Sequence, residues 1–307
     1  MARNHHYVPK CYLKGFIDPS PNPRFPDDDE PRVWQVEFKS HRIRQRPIRL
    51  VGCSPGFYEL GSESEVVNEA AEQSHGHLET IVAPTLRRLN QGDFRLETEE
   101  WENLLFFAAT LAMRVPNAKT ALESTRQRGH QVILSMLGDI PLNQFIRQLE
   151  ETYPGESFTP QRARELQHWA QENDDCRFPI PPHKWIGSSL KAAMEAIFPL
   201  FYQMNWTYLH TDEQHPFICS DDPVNWVDPS ISRSSMRGHG LKSRNIEVSF
   251  PLGRSLALLG HWAAGPQHLP LTPELVDQIN LRSIEQARIE IIGPTRESVE
   301  RGLIIRA

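Results

Sequence analysis

A chain of 307 residues with 39% hydrophobic and 23% charged side chains has ordinary globular composition and can bury a sizeable core. Its formal net charge of -6 gives no general attraction to nucleic acid or acidic membranes, so any contact with nucleic acid must come from a local patch. No apolar run approaches the roughly 20 residues of a membrane span, Met1-Ala2-Arg3-Asn4 does not open a secretory signal, and the scattered Cys11, Cys53, Cys176 and Cys219 read as free thiols, so a cytoplasmic protein is expected.

The first 31 residues run from His5-His6-Tyr7-Val8-Pro9 through the apolar Tyr12-Leu13 into a proline-broken polar loop. Val33 to Phe38 alternates as a strand does, and His41 to Arg49 is expected to pair back onto it. That pairing places Arg42, Arg44 and Arg46 on one face. Ser54-Pro55-Gly56 marks a turn. From Ser64 to Leu89 the apolar spacing is helical, with Pro84 inside. A second helix opens at Thr98, where Glu99 and Glu100 complement the dipole. Its run from Leu104 to Met113 is apolar on all sides, which predicts the central buried helix. Further helices are predicted at 118–136, 141–152, 160–172 and 183–203.

After Met204 the pattern changes to short strand-like runs at 206–209, 217–219, 246–250, 256–259 and 288–292. One helix, opened by Thr272-Pro273, separates the last two. Residues 228–245, rich in Ser, Arg and Gly, read as a mobile loop. Helices followed by strands, without strand–helix alternation, predict an α+β fold in one domain over 1–307. It has a helix-rich core at about 64–203 and a small, mostly antiparallel sheet from the N- and C-terminal segments.

Five features carry chemistry beside a plainer reading. His5 and His6 suit metal binding or acid–base work, or belong to a solvated terminus. Glu65, Glu72 and Glu79, at helical spacing with Glu69 and His75 nearby, suit a divalent cation such as Mg²⁺ or Mn²⁺, or form a solvated face. Arg114, ending the most apolar helix, either caps carbonyls or meets a carboxylate or phosphate. Ser220-Asp221-Asp222-Pro223 places two acids at a strand end, or forms an Asx turn. Arg42, Arg44 and Arg46, with Arg233, Arg237, Lys242 and Arg244 of the loop, make a candidate phosphate-contacting surface, or are ordinary exposed cations.

Taken in order, His5-His-Tyr-Val-Pro-Lys-Cys-Tyr-Leu-Lys-Gly-Phe16, Phe57-Tyr58, the 65–89 helix and Phe107 to Pro116 resemble domain-of-unknown-function family 4238, which is widespread in bacteria. Met204-Asn-Trp206, Phe217 to Val224, Phe250-Pro-Leu252 and Asn280 continue the resemblance over nearly the whole chain. The family's usual Ser-Asp-Asn-Pro is Ser-Asp-Asp-Pro here, which adds a charge at Asp222. The resemblance brings no activity with it, but it implies that His5, His6, Glu65, Glu79, Arg114 and Asp221 form one ensemble. The leading expectation is a metal-assisted hydrolase of a phosphodiester or nucleotide. His5 or His6 would be base or ligand, Glu65, Glu79 and Asp221 would hold the cation, and Arg114 would neutralise phosphate. The other expectation is a non-catalytic sensor or binding module, in a bacterial defence or toxin system, with the same residues as a buried network. A small molecule or nucleic acid is the expected partner.

Overall fold

The computed structural model of the chain describes residues 4–20, 30–55, 65–172, 182–231 and 240–306, with backbone alone at Asn4, 65–72, Gln171, 182–186 and 305–306. Two compact units emerge: Met1–Lys119 with Pro181–Ala307, and Thr120–Ile180.

In the first unit, β1 (Asn4–His6) leads through Pro9 into the short helix α1 (Lys10–Leu13). Then come β2 (Arg32–Glu37), β3 (Arg42–Pro47), β4 (Cys53–Pro55) and the long helices α2 (Glu65–Asn90) and α3 (Thr98–Arg114). Helix α3 starts with a capping box between Glu97 and Glu100, which satisfies two otherwise orphaned amides. As its composition predicts, it is the buried helix, with Leu104, Leu105, Phe107 to Ala112 and Arg114 all inside. It ends because the residue before a proline disfavours helical backbone: Val115 is extended (ψ 158°), and Pro116 opens α4 (Pro116–Asp139).

Helix α4 passes into the second unit, which continues with α5 (Leu142–Thr152) and α6 (Pro160–Glu172). There Gln167 Nε2 donates to the carbonyls of Leu137 (3.0 Å) and Ile140 (2.7 Å), tying α6 to the end of α4.

The chain returns with α7 (Pro182–Ala192), a π-helical turn over Ala193–Ile197, and α8 (Phe198–Gln203). The sequence predicts one helix over 183–203. Pro199 sits in the first turn of α8 and lacks an amide hydrogen, which fits a ladder that shifts register just ahead of it.

Strands follow: β5 (Asn205–His210), β6 (Cys219–Ser220), β7 (Asn225–Val227), β8 (Glu247–Gly253), β9 (Leu256–His261) and β10 (His268–Pro270). The chain closes with α9 (Pro273–Gln286), β11 (Glu290–Gly293) and α10 (Arg296–Arg306). The fold is α+β, with three sheets rather than one among the described residues. One has the order β10-β5-β9-β8-β7 and another β3-β2-β11-β6, while β1 and β4 form a two-stranded ribbon. All pairs are antiparallel except β10 with β5. Strand β11, from the C-terminal part, lies between the N-terminal β2 and β6, and this insertion builds the site described below.

Two glycines fix the N-terminal segment. Gly52 has φ +62°, a left-handed conformation that side chains disfavour, and a Cβ there would lie 2.7 Å from Val8 Cβ. A Cβ on Gly15 would lie 2.4 Å from the Leu252 carbonyl oxygen, and the Gly15 carbonyl accepts from Arg254 N at 2.8 Å. Tyr12 stacks on Phe250 at 5.5 Å and donates its hydroxyl to Pro251 O at 2.6 Å. Among the described residues no helix is long and apolar enough to cross a membrane.

Candidate functional site

The N-terminal imidazoles do not trail in solvent. His5 is buried and His6 half-buried, each held on β1 opposite Ser54 and Cys53 of β4. The amides of Tyr7 and Val8 both donate to Gly52 O, at 2.9 and 3.0 Å. Arg114 reaches this segment from the end of α3. Its Nε donates to Tyr7 O at 2.9 Å, and its Nη2 to His6 O at 3.4 Å and to Glu79 of α2 at 3.1 Å. The arginine side chain is 3% exposed, so its donors act away from water, where a hydrogen bond is stronger and an unmatched charge costlier.

The Tyr7 hydroxyl points the other way, donating to Glu290 Oε1 at 2.8 Å. Glu290 also accepts from Gly52 N at 2.9 Å and from Gln35 Nε2 of β2. Beside it, Asp221 Oδ1 accepts the amides of Arg288, Ile289 and Glu290, each at 3.0 Å. Next in sequence, Asp222 Oδ2 accepts from Asn117 Nδ2 at 2.8 Å, and Asn117 Oδ1 accepts from Arg288 Nε at 3.3 Å. The hydroxyl of Ser220 donates to Asp222 O at 2.9 Å and accepts from Asp222 N at 3.2 Å, which makes the turn. Asn280 of α9 clamps the approach, accepting from Ile218 N and donating to Pro216 O, both at 3.0 Å. A continuous relay therefore runs from Glu79 through Arg114, Tyr7 and Glu290 to Asp221.

Burial governs the proton affinities. It raises the carboxyls of Asp221 and Glu290 above their usual range, against the pull of their hydrogen bonds. Asp222 is pushed up to about 7, by burial and by the neighbouring Asp221 charge, despite Asn117 and Arg288. Around Arg114 the effect on bases is opposite. His6 is pushed down to about 4 by burial and by Lys10 and Arg114, and His75 to about 3 by burial and Arg114. The Cys11 thiol rises to about 12, through burial and the Glu79 charge. At neutral pH both imidazoles are therefore uncharged, and the thiol keeps its proton. The His6 Nε2 is buried and meets no hydrogen-bond partner among the described residues.

The residues singled out from sequence are thus sorted by position. His6, Glu79 and Arg114 come together, and Asp221 joins them through Tyr7 and Glu290. Asp221 and Glu79 do not converge on one point: the first faces the 288–290 backbone, the second the guanidinium of Arg114. Among the described residues no group of three or more His, Cys, Asp or Glu side chains is placed to hold a metal ion. The side chain of Glu65 lies outside the described residues, as do Phe57-Tyr58, Arg233, Arg237 and Cys176; Cys11, Cys53 and Cys219 are free thiols. On β3, Arg42 and Arg44 are exposed, as are Lys242 and Arg244, whereas Arg46 is half-buried and turned toward Gln35 Oε1 at 3.5 Å.

Sequence reasoning missed Tyr7, Gln35, Gly52, Asn117 and above all Glu290. The available signal was a lone glutamate in an otherwise apolar strand, Ile289-Glu290-Ile291-Ile292.

The model of a family described as "Protein of unknown function (DUF4238)" matches residues 4–297. The chain belongs to this family. The DUF4238 match spans the whole relay, from β1 to β11. No curated protein and no solved structure matches the chain.

Proposed function

We propose that this chain is a non-catalytic binding or sensing module, in which the DUF4238 landmark residues form an internal clasp for the N-terminal segment. The observation that supports this reading is the direction of the charged side chains. Arg114 directs two of its nitrogens at the backbone carbonyls of residues 6 and 7, and Asp221 directs one oxygen at three backbone amides. Groups engaged in this way are matched internally, and Asp221 at 0% exposure has no open approach for a solvated cation. Thermal shift with Mn²⁺, Mg²⁺ or Zn²⁺, with and without EDTA, tests it. The clasp gives an unchanged melting temperature, whereas a resident cation site with metal at ~100 times its dissociation constant adds about 2.7 kcal/mol.

One observation favours a second reading, a hydrolase centred on His6. An imidazole whose Nε2 has no partner among the described residues, beside a guanidinium and a Glu79 carboxylate that is 28% exposed, offers a proton acceptor near an anion site, though one of lower basicity than an ordinary histidine. In that case Glu65 and Glu79 would hold the cation. His6→Ala would then melt like the parent while losing phosphodiester hydrolysis. An unstable His6→Ala variant, with no hydrolysis by the parent, sinks it.

A further inference from the structure

Helix α4 has no buried residue in its 24, although it is the longest element of the second unit. The core of that unit is thin, with Phe145, Ala163 and Ala170 as its buried hydrophobic side chains among the described residues. Leu122, Leu134 and Leu137 are half-buried, so α4 has an inner face. Its outer face carries Val132, Ile133 and Met136 at 58%, 54% and 62% exposure, and three large apolar side chains held together in water point to an interaction surface.

The charges flanking this patch indicate what covers it. Arg128 and Asp139 are both exposed and stand eleven residues apart. At 3.6 residues per turn that is three turns, so both lie on the same stripe, about 16 Å from one another. The positive end precedes the apolar patch and the negative end follows it. A parallel partner of the same sequence would set like against like. An antiparallel copy, related by a two-fold axis between Ile133 and Leu134, sets each Arg128 against Asp139 of the other helix. The same pairing brings Ile133 and Val132 onto their counterparts. Gly129, where an added Cβ would meet nothing within 4 Å, leaves room near the crossing for Met136 of the other copy. A self-complementary patch of this kind is what an isologous dimer requires.

We infer that the exposed stripe of α4 is a homodimer surface, whose occupant is α4 of a second copy of this chain in antiparallel orientation. A single helix pair lies at the low end of interface size, below ~1,200 Å² in total, so the association is weak and concentration-dependent.

Sedimentation velocity on the full chain, under reducing conditions from about 5 to about 500 μM, is the test. The sedimentation coefficient should rise from monomer to dimer over that range. Ile133→Glu should weaken association by roughly 30-fold or more, because it sets two charges in the centre of the patch. Arg128→Glu and Asp139→Arg should each weaken it by about fivefold, and the double variant should return it to within about threefold of the parent, since the swap restores both pairs. A monomer at every concentration overturns the inference, and so does a double variant as weak as either single one. A fall in melting temperature on Ile133→Glu at monomeric concentrations also overturns it, because the stripe would then be covered within its own chain.

Discussion

Asp221→Ala is expected to destabilise the protein by about 3 kcal/mol, whereas Asp221→Asn should cost less than about 1 kcal/mol. The alanine leaves the amides of Arg288, Ile289 and Glu290 without their common acceptor, and Glu290 N is fully buried. The stranded turn carries Glu290, so the loss spreads to Tyr7 and Gly52. Asparagine keeps a carbonyl oxygen where Oδ1 lies and removes a carboxylate that burial already disfavours. Urea unfolding of both variants measures the contrast directly. A group that ligates a metal or transfers a proton would give the opposite pattern, with both variants stable and both inactive.

Asp222→Asn is expected to stabilise the protein at alkaline pH and to leave it unchanged near pH 4. The carboxyl titrates near 3.8 in the unfolded chain and at about 7 in the fold. Between those values the unfolded chain has released the proton and the folded protein retains it, so stability falls as pH rises, by up to roughly 1.4 kcal/mol per pH unit. Integrated over the window from 3.8 to about 7, the loss is on the order of 4 kcal/mol above pH 7. His6 and His75 work in the opposite sense. With folded values near 4 and 3 against 6.5, they stay neutral while the unfolded chain gains protons, so they weaken the fold as pH drops below 6.5. The difference between parent and variant cancels those terms and isolates Asp222. Unfolding free energies at pH 4, 6 and 8 should show that difference growing from near zero to several kcal/mol. A flat difference would mean that Asn117 and Arg288 hold the carboxylate ionised throughout.

The helices were legible because their signals are local. The apolar run of 104–113 and the Thr98 start define α3 without any knowledge of what it packs against. The 33–38 and 41–49 runs likewise give β2 and β3. Short elements such as β7, β10 and α1 carry three or four residues each, too few to express a period, and they exist because a neighbouring strand or sheet receives them. Helix α10 escaped notice because its polar and apolar residues are poorly segregated. The site divides along the same line. Arg114 and Asp221 stood out as polar residues at the ends of apolar elements, a local oddity. Glu290 acquires its meaning from a tyrosine 283 residues away, and no spacing rule joins the two. Alternation assigns Arg42, Arg44 and Arg46 of β3 to one face, but it cannot tell that the Arg46 side chain reaches toward Gln35.

Underlying all of this is the role of Tyr7, which offers its carbonyl to Arg114 and its hydroxyl to Glu290 and so joins the helical core to the β11 sheet. Native-state hydrogen exchange on the parent and on Tyr7→Phe addresses that role. In the parent, the amides of Tyr7, Val8 and Gly52 should exchange as slowly as those of Ile291 and Ile292 in β11. In Tyr7→Phe, which deletes one oxygen, protection at Tyr7 to Val8 and at 288–290 should fall together by about tenfold or more, reflecting ~1.4 kcal/mol or more of lost coupling. Rapid exchange of the Tyr7, Val8 and Gly52 amides in the parent, or a loss in Tyr7→Phe confined to one of the two segments, would contradict the clasp.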